Sequence, residues 1–306
     1  MTPAIRDHGV ATLVHAARAR LGECPLWSVK EQVLYWVDIS GQAIHRLDPN
    51  AGLDAAWAMP SEPGCIGLAR GGGLVAALRD GFHHFHPGTG TLTKLADAPY
   101  DTANQRFNDG KVDAQGRFWA GAMFEPRTSE AAAMFRLENG RVREVFGPAR
   151  GWGVKVSNGL AFSADGTHAF QSDTPNHVVY RFALVDGEPV ERTVFARMTD
   201  NRARPDYGGR PDGATLDSEG CYWSAQYEGG RVLRLDRTGR TIGVVTVPAK
   251  RTTMVAFGGP RLTTLYITTA RDGADASELA RYPHSGGLFS CEVDVPGRPE
   301  CEYSQR

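Results

Sequence analysis

The stretch RFNDGKVDAQGRFWAG, residues 106–121, combines two features. Its second half is a hairpin signature. Ala114-Gln115-Gly116 end a turn on glycine, and Arg117-Phe118-Trp119-Ala120 begin an aromatic strand. Its first half sets Arg106, Asn108 and Asp109 ahead of Gly110, a polar cluster that no plain hairpin requires. Further along, PDGATLDSEGCYWSAQY (residues 211–227) and SNGLAFSADGTHAFQSD (157–173) repeat the same frame: a polar residue and glycine, a short apolar strand, a glycine turn, then an aromatic strand. Earlier and later frames are GECPLWSVKEQVLYWVDI (22–39), CIGLARGGGLVAAL (65–78) and VAFGGPRLTTLYITTARDG (255–273), closed by SGGLFSCEVDV.

Glu23, Ile66, Asp109, Asn158, Asp212 and Ala256 stand at similar points of these frames, 43, 43, 49, 54 and 44 residues apart. A period of about 40–50 residues built from short strands is that of a β-propeller. The chain is therefore predicted to be all-β, a six-bladed β-propeller with about four strands per blade, forming one domain over residues 1–306. Gly 36 and Pro 18 among 306 residues fit many turns between short strands. One short helical turn is expected in TSEAAAMF (128–135), and DNRARPDYGGRP (200–211) reads as a polar loop before the fifth frame.

Bulk properties narrow the partners. A net charge of -1 supplies no field for nucleic acid or an anionic membrane, which leaves a small molecule or no partner. The five cysteines are scattered without a C-x-x-C, as expected for reduced thiols in a cytoplasmic protein. The N-terminal stretch has no apolar signal core, and no run of about 18 apolar residues predicts a membrane span. A monomer is the default expectation.

Innermost propeller strands line a central channel, so equivalent residues of different blades converge. Glu23, Asn158 and Asp212 are thereby predicted to meet. Taken singly, Asn158-Gly159 and Asp212-Gly213 are ordinary turn dipeptides. Jointly with Glu23 they form an all-oxygen set, suited to one hard divalent cation such as Ca²⁺, Mg²⁺ or Mn²⁺. Arg106 and Asn108 would stand at the same rim, offering donors and an acceptor to hydroxyl or carbonyl oxygens. Asp109 reads equally as a third channel carboxylate or a turn residue. His83, His84 and His86 fall late in frame two, away from that rim, and read as an outer hairpin. Gly71-Gly72-Gly73 is a turn, Ser157 is structural, and Trp152 is either a pocket wall or core. No G-x-S-x-G serine elbow is present.

Taken in order, LGECPLW, LYWVDI, IHRLDP, RFNDGKVDAQGRFWAG, SNGLAFSADG, PDGATLDSEGCYW, VAFGGP, LYITTARDG and GGLF span essentially the whole chain. In that set the chain resembles the regucalcin (senescence marker protein)/gluconolactonase family of six-bladed propellers. The resemblance implies a divalent metal (Ca, Mg, Mn, Zn or Fe) on Glu23, Asn158 and Asp212. It implies sugar contacts from Arg106 and Asn108, with Glu125 of AGAMFEPR as a further candidate. The implied activity is hydrolysis of a sugar lactone to the aldonic acid, with Asp212 as ligand and catalytic base together. Two alternatives accompany it: a non-catalytic Ca²⁺-binding regulatory protein, and a propeller esterase acting on a non-sugar lactone or an organophosphate.

Overall fold

The computed structural model describes residues 4–205 and 207–304. The backbone forms six blades of antiparallel strands in the expected order, the first five each built from four consecutive strands. Blades 1 to 5 run over residues 22–58, 63–97, 105–146, 157–197 and 210–246. Blade 6 takes three strands from residues 252–292 and its outermost from Thr12–His15, which pairs antiparallel with Leu288–Glu292. The N-terminal segment thus closes the ring, and it also adds Arg6–Val10 in parallel to the outer edge of blade 5.

An aromatic pair stands at every joint between blades. Trp57 meets Phe85, Phe82 meets Phe107, and Phe146 stacks on Phe182. Phe170 meets Tyr222, Trp223 meets Phe257, and Trp27 stacks on Tyr266. Large aromatic surfaces buried at these joints hold neighbouring sheets together, which backbone pairing within a sheet cannot do. Blades 3 and 5 share a further device. Asp113 and Asp217 accept from the turn that follows them and from the indole N–H six residues on, Trp119 at 2.7 Å and Trp223 at 2.9 Å.

The six innermost strands share one irregularity. Each slips register against its neighbour near its start, after Glu23, Pro63, Phe107, Asn158, Pro211 and Thr252. A β-bulge re-aims side chains at the point of slippage, and here it turns them toward the channel mouth. Ile66 and Ala256, set level with Glu23 by counting along the chain, lie beyond their bulges and pack in the core. The expected helical turn at 128–135 is absent: residues 128–130 bend, Ala132 bridges Val154, and a strand starts at Met134. Pairing with residue 154 outweighs the helix preference of the alanines.

At the far end of the channel the C-terminal segment crosses the blades. Its backbone bonds Ser218, Leu262, Gly116 and Arg70, and Glu302–Tyr303 joins the inner strand of blade 2 in parallel. Glu300 reaches up to Lys111 there, at 2.8 and 3.0 Å. No described helix is long and apolar enough to cross a membrane.

Candidate active site

Glu23, Arg106, Asn108, Asn158 and Asp212 line one cavity of about 350 Å³ at the channel mouth. They come from the inner strands Gly22–Ser28, Gln105–Val112, Ser157–Phe162 and Arg210–Leu216. All five are buried. A chain of hydrogen bonds connects four of them. Arg106 Nη1 donates to Asn108 Oδ1 at 2.9 Å and to the Phe107 carbonyl at 2.8 Å. Asn108 Nδ2 donates to Asn158 Oδ1 at 2.7 Å and to the Ser157 carbonyl at 3.0 Å. Asn158 Nδ2 donates to Thr174 Oγ1 at 2.8 Å and, closely, to Asp212 Oδ1. Thr174, which the sequence reading overlooked, anchors the group by donating to the Pro211 carbonyl at 2.8 Å. Only its place after the fourth aromatic strand could have flagged it.

The electrostatics are those of a site short of positive charge. Among the described residues neither Glu23 nor Asp212 forms an ion pair. Burial pushes the Glu23 carboxyl up strongly, and repulsion from Asp212 and Asp109 adds to it. Burial likewise raises Asp212, with Arg210 opposing and Asp109 reinforcing. Two buried carboxylates and an amide side chain, with Arg106 and Arg210 near but in no ion pair with them, fit a hard divalent ion, which would supply charge at direct contact. Asp109 lies just outside this group. Its Oδ2 accepts the Leu160 N–H at 2.9 Å, tying blade 3 to blade 4, and burial raises its carboxyl to about 6.

Glu125 is not brought into the cluster. It lines an adjoining cavity that shares Arg106, and Arg79 holds it at 2.8 and 3.0 Å. Trp152 packs on Phe182 rather than walling the cavity. His83 is buried beside Asp80 in the third strand of blade 2, while His86 is exposed, so the three histidines do not converge on a site.

Asp217, Glu219 and Cys221 form a second cluster with metal-ligand spacing. There an arginine already supplies the charge that a cation would bring. Arg234 contacts Asp217 at 2.8 Å and Glu219 at 2.6 Å, and Trp223 donates to Asp217. Asp217→Ala strands both donors in a buried site and is expected to cost about 3 kcal/mol or more. Denaturant melts and metal analysis check this: the midpoint falls while bound metal is unchanged. Loss of a metal ion from the variant would make the cluster a ligand set instead.

Fold and site together define a six-bladed propeller with an oxygen-donor centre at the mouth of its channel. A family model described as the SMP-30/Gluconolactonase/LRE-like region matches residues 21–271. The chain belongs to that family. It is 47% identical over 281 residues to a 6-deoxy-6-sulfogluconolactonase of Pseudomonas putida, covering 92% of this chain and 94% of the relative. It is 34% identical over 296 residues to a pentonolactonase of Haloferax volcanii, covering 94% and 96%. Among solved structures it is similar to a calcium-binding protein, regucalcin, of Agrobacterium tumefaciens. That match has a TM-score of 0.90 at 27% identity and covers 98% and 99% of the two chains.

Proposed function

We propose that this protein is a lactonase that hydrolyses a sugar lactone to the aldonic acid, using one divalent cation held by Glu23, Asn158 and Asp212. The convergence of these three with Arg106 and Asn108 on one polar cavity carries the reading. The named lactonase relatives, whose sugars differ, support the reaction class. When bound, the cation would polarise the lactone carbonyl and stabilise the oxyanion that forms there.

The protein's own groups do the rest. Arg106 commits Nη1 to the backbone and Asn108, which fixes its guanidinium and leaves the other edge of the fork for sugar oxygens. Asn108, held between Arg106 and Asn158, orients the ring. Asp212 is the base: its carboxylate lines the cavity beside Asn158, where a lactone carbonyl and an attacking water would meet, and from there it can accept the water's proton. The water oxygen bonds to the carbonyl carbon as Asp212 takes the proton. The ring C–O bond then breaks, and the proton passes to the leaving ring oxygen. Glu125 stands as a further substrate-side candidate, positioned through Arg79 at the edge of Arg106's second cavity.

The test is proton release on a panel of γ- and δ-aldonolactones with chelator-stripped protein and single metals added back. Turnover above the buffer rate is expected with at least one metal, and it should disappear on stripping. No acceleration with any metal would leave the lactonase reading without support.

A further inference from the structure

Outward of the oxygen donors, the cavity wall is cationic. Arg210 stands two residues before Asp212 on the same strand, and both line the cavity. The Arg210 side chain is 14% exposed, lies over the Tyr227 ring, and keeps a buried Nε with no hydrogen-bond partner among the described residues. Arg202, nearer solvent at 62% exposed, shares a single carboxylate with it: Glu228 lies 2.9 Å from Arg202 and 3.3 Å from Arg210. From blade 3, Arg127 lines the same cavity with no ion pair to a described residue. Arg251 is neutralised by Glu278 at 2.7 Å. Once Glu23 and Asp212 hold a cation, Glu228 is the one carboxylate left in this cavity against Arg106, Arg127, Arg202 and Arg210; even with Glu62 and Glu125 of the adjoining cavity and their partner Arg79 counted in, positive charge remains in excess by two.

A neutral aldonolactone presents hydroxyls and has no charge to set against that excess. The carboxylate of the product forms at the oxygen-donor end, so it does not account for guanidinium groups nearer the mouth. We infer that the substrate is an acidic sugar lactone, carrying a sulfonate, phosphate or carboxylate at the end remote from the ring ester, seated against Arg210 with Arg202 and Arg127 around it. This deepens the lactonase reading above and rests on it. A guanidinium fork matches such oxyanions through paired N–H groups. Arg210 is also the group best placed to do so, largely shielded from water and with an unspent donor.

The experiment compares the metal-restored protein on gluconolactone and on its counterparts with a terminal sulfonate, phosphate or carboxylate, at one ionic strength. The kcat/KM of one anionic lactone is expected to exceed that of the neutral one by about thirtyfold or more, and the best arm names the anion. Arg210→Gln should lower kcat/KM for that lactone at least about tenfold more than for the neutral lactone, chiefly through KM. Equal or better turnover of the neutral lactone overturns the inference and leaves the lactonase reading intact. If no lactone is turned over, that reading fails, and calorimetric binding of the open-chain acids decides the inference separately. Terminal sulfo- or phosphogluconate binding about tenfold tighter than gluconate, with the gap closed by Arg210→Gln and by about 0.5 M salt, supports it. No tighter binding overturns it.

Discussion

Glu23→Gln is expected to remove metal-restored turnover by about 10³-fold or more, and to raise the melting temperature of the metal-free protein. Both effects come from one buried carboxylate. Glu23 is 5% exposed, beside Asp212, with no ion pair among the described residues. Its proton affinity is raised first by burial and then by repulsion from Asp212 and Asp109. A carboxyl whose folded pKa lies above its unfolded value favours the fold below the unfolded value. That contribution is lost as pH rises through the folded value. The stripped wild type should therefore melt higher near pH 5 than near pH 8, and Glu23→Gln should flatten the difference. A divalent ion needs the carboxylates ionised, so its stabilisation should run the other way and grow toward about pH 8. Thermal melts with and without chelator across that range, alongside lactone kinetics, read all of this. A stripped wild type equally stable at both ends would show that the pair is not an uncompensated anionic cluster. Undiminished turnover in the variant would remove Glu23 from the site.

The convergence of the candidate site was legible because a repeat makes distant residues equivalent. Glu23, Asn158 and Asp212 each sit at the head of an inner strand, and the ring brings those heads together. The fold was legible for the same reason, and the recurrence of aspartate six residues before tryptophan, Asp113 to Trp119 and Asp217 to Trp223, was available as a second mark of the repeat. What remained hidden depended on single-residue shifts and on long-range pairing. A bulge after Glu23 or Pro63 leaves no signature in composition, yet it decides whether Ile66 faces the channel or the core. Thr12–His15 joins a sheet whose other strands lie more than two hundred residues away, and no local pattern announces that partner. Arg202 and Arg210 fell in a stretch read as a polar loop. Only their closeness to Asp212 and to Arg106 and Arg127 from blade 3 gives them a common target.

The floor of the channel carries the second large effect. Glu300→Ala is expected to destabilise the protein by about 3–5 kcal/mol, the range for removing one partner of a buried ion pair. Lys111 and Glu300 have side chains only 13% and 12% exposed, and their contact is a two-oxygen fork on one ammonium group. Lys111 projects from the inner strand of blade 3, two residues past Asp109, and burial alone would lower its pKa; the charge of Glu300 more than offsets this. Without Glu300 the ammonium keeps a tight apolar space beside Cys24, Met254 and Cys301 on one side, and water can reach it only from the cavity of about 330 Å³ that Phe162, Pro299 and Cys301 bound on the other. At about 2 °C per kcal/mol for a chain this size, the melting temperature should fall by roughly 6–10 °C. The paired replacement Lys111→Met with Glu300→Leu should recover most of that loss, because two apolar groups of similar volume need no compensation. The contrast between single and double variants separates charge burial from the backbone bonds that the C-terminal segment makes to Ser218, Leu262 and Gly116. If the double variant melts as low as the single one, the ion pair itself latches the segment across the blades. If Glu300→Ala melts within about 1 kcal/mol of the wild type, those backbone bonds suffice and the pair is dispensable.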